Sequence, residues 1–359
     1  MRWLTVNFPV LFCLCVFGFA ANAANEKLHY QKYNPNESTL IHVLTLDPKQ
    51  VKIIAVRAQD AGQGLESVDN IAKHFNALAA INGGFFRLGE QLSDNGIPAG
   101  VLKIEQQWHG IAYKTRGAIG WSPNSDVVLI DRVQTDSKVT LQDNNWPISA
   151  MNKPATGNRA ALLSDCYTDS IDLNNTIGLM IVDQKVQAIY TTGNIQIPSD
   201  AYLFNISGNL RDKIKNTKTG DSALINIQIQ PQLNSGAKKQ WNRMPYVIGG
   251  GPLLIYNGKK ITDFNAEKMS NDFIEGRYAR TAIGILPDKR WVLVVAERSL
   301  FPDTVGLTIP ELQDFMFELG CIAAVNLDGG GSSSMYVAGL TNSTLLAQPV
   351  ADAVIVLDR

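Results

Sequence analysis

Thr308 to Val337 reads TIPELQDFMFELGCIAAVNLDGGGSSSMYV, and three kinds of structure follow one another in it. Its first segment, to Gly320, predicts a helix with both ends written in. Thr308 is the N-cap, Glu311 completes a capping box and Gly320 stands just past the end. Leu312, Phe315, Met316 and Leu319 supply the apolar stripe that a helix buries. The run Ile322-Ala323-Ala324-Val325 then predicts a strand that ends in an amide, Asn326, and a carboxylate, Asp328. Three glycines and three serines follow before Met335-Tyr336-Val337 resumes a strand pattern. A chain that strips the side chains from Gly329, Gly330 and Gly331 permits positive φ there and lets a ligand approach the backbone closely.

Working upstream, GGGPLLIYNGKKI (Gly249 to Ile261) predicts a hairpin at Asn257-Gly258. RTAIGILPDKRWVLVVAE (Arg280 to Glu297) predicts a second one that turns at Pro287-Asp288. Thr39–Asp47 and Val51–Ala58 are rich in β-branched residues and predict two strands on either side of a Pro-containing turn. From Ser67 a helix is predicted with Ile71, Phe75 and Leu78 on one face, running into a strand and then NGGFF, Asn82 to Phe86. Further strand signals lie in Gly117–Val139 and, more weakly, in Ile177–Ile197 and Leu224–Ile229. No repeat or low-complexity linker divides the chain. The expectation is an α+β fold, a single large strand-rich domain with a few helices packed on mixed sheet.

The composition agrees with such a domain. The chain has 359 residues, 45% of them apolar and 18% charged, enough to bury a full core. Its 32 basic and 33 acidic residues leave no field that would attract nucleic acid. Arg2, the apolar run Phe8–Ala20 and Ala21-Asn22-Ala23 form a secretory signal pattern over residues 1–23, with cleavage after Ala23. The run is too short to anchor the chain in a membrane. A secreted or periplasmic protein is expected, residues 24–77 forming strands and a helix of the same fold as 78–357. Removal of Cys13 and Cys15 with the signal leaves Cys166 and Cys321, either as a disulfide or as two buried thiols.

Polar-glycine clusters recur three times, at Asn82-Gly83-Gly84, at Gly249–Pro252 and at Asp328–Ser334. One glycine pair alone reads as a tight turn. Three clusters, each beside a strand and two of them carrying Asn or Asp, point to a site. Backbone N–H groups in such turns form anion-binding nests, and serine hydroxyls add donors. None is a P-loop, because no Gly-Lys-Ser/Thr follows. Arg280, just before an apolar strand, has the planar fork that grips phosphate or carboxylate at two points. Arg277 is equally basic but lacks the flanking pattern.

At these residues the sequence resembles the phosphodiester glycosidase family. INGGFF, GGGPLLIYNGK, RTAIGI, GLTIPELQDFMFELG, NLDGGGSSSMYV and QPVADAVIV carry the resemblance, in that order, over roughly Leu78 to Val356. It implies hydrolysis of a sugar-1-phosphodiester of the N-acetylglucosamine-1-phosphate type, releasing sugar and a phosphomonoester. Asp328 would activate water or steady an oxocarbenium-like sugar, as the one carboxylate singled out at a motif position. Asn82 and Asn326 would bind sugar hydroxyls or an acetamido group. Arg280 and the amides of Gly329, Gly330 and Gly331 would hold the phosphate, with Gly83, Gly84, Gly250, Gly251 and Ser332 lining the same site. A carbohydrate phosphodiester is the expected partner and no cofactor is expected; Asp328 and Asn326 offer oxygen ligands to a metal, but no carboxylate cluster requires one.

Two other classes fit parts of the pattern. A serine hydrolase would use the serines after the glycine run, but GGGSSSM lacks the last glycine of a nucleophile elbow. His29, His42, His74 and His109 all lie far upstream. A non-catalytic module would bind polysaccharide or cell wall through the same cleft. Turnover on a sugar-1-phosphodiester, measured against plain binding, separates it from an enzyme.

Overall fold

The computed structural model describes residues 27–359 except 37, 60–63, 89–95, 166, 168–172, 174, 194, 301–302 and 343–346. The expected signal segment and Cys166 therefore lie outside the described residues. Cys321 is a buried free thiol packed beside Met316 and Ala324.

Two antiparallel sheets form the half of the molecule that matters here. A seven-stranded sheet runs in the order Leu28–Asn36, Thr39–Leu46, Trp291–Ala296, Arg280–Ile285, Ala323–Asn326, Leu253–Tyr256 and Lys259–Lys260. A five-stranded sheet runs Leu340–Thr341, Met335–Val337, Ala79–Asn82, Asp352–Asp358 and Val51–Arg57. Alternation explains how they meet. Leu44, Leu46, Ile283, Leu293 and Val295 of the first sheet share one apolar core with Ile53, Ala55, Ile81 and Ile355 of the second. The opposite face of the larger sheet, with Ile41, Val43, Ala282 and Val294, is covered by the helix Ile309–Glu318.

That helix has the predicted ends. The Thr308 side chain accepts from the Glu311 amide at 3.2 Å, and Glu311 Oε2 accepts from the Thr308 amide at 2.9 Å. Gly320 stands after it at φ 85°, where a Cβ would be strained. Ile309, Leu312 and Met316 are fully buried, worth roughly 1.5–3 kcal/mol each. Both hairpins are present: Ile255 pairs Lys260 around Asn257-Gly258, and Ile285 pairs Trp291 around Pro287-Asp288. The helix predicted from Ser67 is shorter than its apolar spacing suggests. It covers Val68–His74, and Asn76 at φ 50° turns the chain before Leu78.

Two further large sheets and two two-stranded ones make up the rest of the described strands. One runs Asn144–Pro147, Val128–Leu141, Arg116–Trp121, Tyr246–Gly249, Leu102–Ile104 and Gln107–Gly110, with Ala223–Pro231 also paired to Val128–Leu141. The other is built on Ala160–Leu163, Tyr202–Ser207 and Thr176–Val182. The domain is strand-rich with few helices, as expected. The expected mixed sheet is met in part: the described pairs are antiparallel except Ala150–Met151 with Ala160–Leu163, which makes that one sheet mixed. Hairpin connections account for neighbours such as Arg280–Ile285 with Trp291–Ala296, while others, such as Thr39–Leu46 with Trp291–Ala296, pair strands far apart in the sequence.

Candidate active site

Register brings the motif residues to one place. Asp352 pairs with Arg57 and Ala353 with Asn82, so Asn82, Asp352 and Arg57 stand at the same end of the five-stranded sheet. In the larger sheet Asn326 pairs with Ala282, two residues from Arg280. The Thr281 hydroxyl donates to Asn82 Oδ1 at 2.7 Å and joins the two sheets. Asp328 leaves the strand Ala323–Asn326 directly over Gly83, its amide 3.3 Å from the Gly83 carbonyl.

Asp328 is joined there by a second carboxylate that the sequence reading did not single out. The Asp352 Oδ1 accepts from the Gly84 amide at 2.8 Å, and the Asp352 carbonyl accepts from the Gly83 amide at 2.9 Å. A Cβ on Gly83 would lie 1.9 Å from Asp352 Oδ1, so the glycine makes room for that carboxylate. Asp328 Oδ1 accepts from the Gly329 amide at 2.9 Å, and the Ser332 hydroxyl also donates to its carboxyl. Burial pushes Asp328 up to about 6 against these bonds. Asp352 is likewise pushed up to about 6, by burial first and by the negative charge of Asp328 last, while the Gly84 amide and the Arg57 charge pull it down. Burial is thus the main cause at both carboxyls, and the charge of Asp328 adds to it at Asp352. The signal for Asp352 was present in QPVADAVIV: a lone acid opens an otherwise apolar strand.

Three expected substrate contacts prove to be ties within the protein. Asn82 is fully buried; its Nδ2 donates to the Asp328 carbonyl at 2.9 Å and its Oδ1 accepts from Thr281 and the Ser334 amide. Asn326 is also fully buried, and its Nδ2 donates to the Gly251 and Leu327 carbonyls, both at 2.7 Å. Its Oδ1 has no partner among the described residues. Arg280 is 1% exposed, and two of its three guanidinium nitrogens are taken by backbone carbonyls. Nε donates to the Leu307 carbonyl at 2.9 Å, and Nη2 donates to those of Phe273 and Gly276 at 2.7 and 2.8 Å. The guanidinium lies over the rings of Phe273 and Tyr278. Arg277 is paired with Glu311 at the surface.

The glycine clusters divide in the same way. The amides of Gly250 and Gly251 donate to the Gly117 and Asn326 carbonyls, both at 2.7 Å. A Cβ on Gly250 would lie 2.2 Å from the Asn326 carbonyl oxygen. These glycines serve close packing, not anion binding. In the last cluster the Gly329 amide is held by Asp328 and the Gly330 amide by the Ala279 carbonyl at 2.8 Å. The Gly331 amide has no partner among the described residues. Gly330, at φ 62°, has open space where its Cβ would point. Open space beside Asp328 and one unused amide are what remains of the expected nest.

A family model described as phosphodiester glycosidase matches residues 178–357, half of the chain. The chain belongs to the phosphodiester glycosidase family. The matched stretch holds every motif of the resemblance except Ile81–Phe86, which the sheet pairing of Asn82 and Ala353 brings against it. A hypothetical protein from Synechocystis aligns with a TM-score of 0.76 and 25% identity over 93% of this chain; the chain spans 62% of that protein's length. A protein from Burkholderia pseudomallei, titled as exported, aligns at 0.71 and 18% identity over 89% of this chain and 74% of its own. The zebrafish N-acetylglucosamine-1-phosphodiester alpha-N-acetylglucosaminidase catalytic domain, auto-inhibited by its pro-peptide, aligns at 0.48 and 13% identity over 95% and 86%. Among curated proteins none matches. The serine-hydrolase alternative loses its geometry here, because the Ser332 hydroxyl donates to Asp328 rather than to a histidine.

Proposed function

We propose that this phosphodiester glycosidase hydrolyses the bond between an anomeric carbon and the oxygen of a phosphodiester, with Asp328 and Asp352 as its coupled carboxyl pair. The observation that carries the reading is the placement of both acids against Gly83, next to the open space over Gly330. A phosphate leaving group is a weak base, so it needs little protonation, unlike the sugar hydroxyl of an ordinary glycoside. The charged member of the pair draws a proton from water as that water attacks the anomeric carbon, or faces the positive charge that develops on the sugar. The bond to the phosphate oxygen breaks, and the phosphate keeps the electron pair. The Gly331 amide, without a partner among the described residues, would donate to a phosphate oxygen as charge builds there. Arg280 supports the loop from behind, since Gly330 hangs on the Ala279 carbonyl next to it.

The substrate proposed is an α-N-acetylglucosamine-1-phosphodiester. Release of free sugar from it, with an unphosphorylated α-glucosaminide as control, is the test. Turnover of the phosphodiester and not of the control is expected; equal rates would show that the phosphate is not read. Binding of the phosphodiester with no release would favour the non-catalytic module.

Export belongs to the proposal, on the strength of the signal pattern in residues 1–23. Among the described residues no helix is long and apolar enough to cross a membrane. Sequencing the N-terminus of material recovered outside the cytoplasm should give Ala24 first. A mature chain that starts at Met1 would remove the signal reading.

A further inference from the structure

A groove of about 660 Å³ opens at a second place in the fold, and none of its lining residues belongs to the cluster around Asp328. It lies where the strands Leu102–Ile104 and Gln107–Gly110 meet Ala223–Pro231 and the short helix Lys238–Arg243. Lys103, Lys238, Lys239 and Arg243 line it, and no carboxylate does. Lys238, Lys239 and Arg243 form no ion pair among the described residues. On the flank, Asp136 and Lys138 pair across the strands with Gln228 and Asn226, so their charges offset each other. Glu105, on the following turn, accepts from the Tyr246 hydroxyl at 3.0 Å.

Lys103 is the telling residue, because it is 3% exposed and has no acidic partner among the described residues. Its ammonium donates to the Asn242 carbonyl at 3.1 Å and stands 5.2 Å from the centre of the Trp108 ring. A carbonyl and an aromatic face stabilise a cation only partly, and burial pulls this lysine down to about 8. A desolvated charge without a counter-charge is costly. An anion seated in the groove would supply what Lys103 lacks.

The other lining groups narrow the class of anion. Trp108 is partly buried between two apolar clusters, and the part of its indole that lines the groove offers an apolar edge to the C–H groups of a sugar ring. Asn226 and Gln228 line the same groove, and their side-chain amides both donate and accept, as bonding to sugar hydroxyls requires. The volume suits a ligand of a few rings. The protein as a whole carries a net charge of −1, which disfavours a long polyanion such as nucleic acid. We propose that this groove binds an anionic oligosaccharide, its acidic groups held by Lys103, Lys238, Lys239 and Arg243 and one sugar ring laid on Trp108.

Calorimetric titration of the full chain carrying Asp328→Asn tests this without hydrolysis, and so does not depend on the phosphodiester chemistry. Two probes, octagalacturonate and mannopentaose phosphate, distinguish carboxylate from phosphate as the acidic group. Neutral maltooctaose and the oligonucleotide dT8 are the comparators. One or both acidic sugars should bind, weaken as salt is raised and lose at least about 10-fold in affinity with Lys238→Glu/Lys239→Glu/Arg243→Glu. Lys103→Met should weaken them in the same direction, and the exposed triple variant covers the case in which that buried change does not fold. Absence of binding by both acidic sugars would overturn the proposal. So would equal binding of maltooctaose, tighter binding of dT8, or an unchanged affinity in the triple variant.

Discussion

Asp328→Asn is expected to leave a folded protein that still binds the sugar phosphodiester and turns it over about 10²–10⁴-fold more slowly, the span of a lost acid or base. The fold should survive because asparagine keeps an acceptor oxygen for the Gly329 amide and the Ser332 hydroxyl. Chemistry should not, because the amide neither takes a proton nor faces a developing positive charge with one of its own. The pH profile belongs to the same expectation. With Asp328 pushed up to about 6 and little protonation needed by a phosphate leaving group, kcat/KM for the wild type should rise with pH through about 6 and then level off. Stability should move the other way. A carboxyl near 4 when unfolded and about 6 when folded binds more protons in the native state across that window. Wild-type stability should therefore fall from about pH 4 to about pH 6, and fall less in the variant. Wild-type turnover in Asp328→Asn would remove Asp328 from the chemistry.

Glu267→Ala should be the most damaging single change to the fold. Glu267 is fully buried behind the site. Its Oε2 accepts from the Gly117 amide at 2.7 Å, and its Oε1 accepts from the Leu253 amide at 2.7 Å and from Arg132 Nε at 3.0 Å. It also fixes Gly251, whose Cβ would lie 2.7 Å from the same carboxylate. Alanine would strand two strand amides and the Arg132 charge, 7% exposed, at a cost of about 3–5 kcal/mol. The urea midpoint should drop accordingly, and Glu267→Gln should lose less. A midpoint unmoved by alanine would mean that solvent reaches Arg132 and replaces the carboxylate.

Local structure was legible where one short stretch carries all the information. Thr308, Glu311 and Gly320 mark the helix ends because capping is a matter of a few consecutive residues, and Asn257-Gly258 marks its hairpin for the same reason. Thr39–Leu46 and Val51–Arg57 were legible as strands, but their neighbours were not. One pairs with Trp291–Ala296 and the other with Asp352–Asp358, in different sheets. The site shows the same division. NLDGGGSSS located Asp328 and the open turn at Gly330. Burial, which is set by distant strands, turned Asn82, Asn326 and Arg280 from expected ligand contacts into internal ties. The partner acid, Asp352, comes from the last strand and meets Gly83 only through long-range pairing.

Which bond breaks tests the central claim most directly. Hydrolysis of an α-N-acetylglucosamine-1-phosphodiester in ¹⁸O-labelled water, followed by mass spectrometry of the phosphomonoester, reads this at once. Attack at the anomeric carbon leaves the phosphomonoester without label, and that is the expected result. Label in the phosphomonoester would show attack at phosphorus and contradict the assignment of Asp328 and Asp352 to a glycosidic reaction.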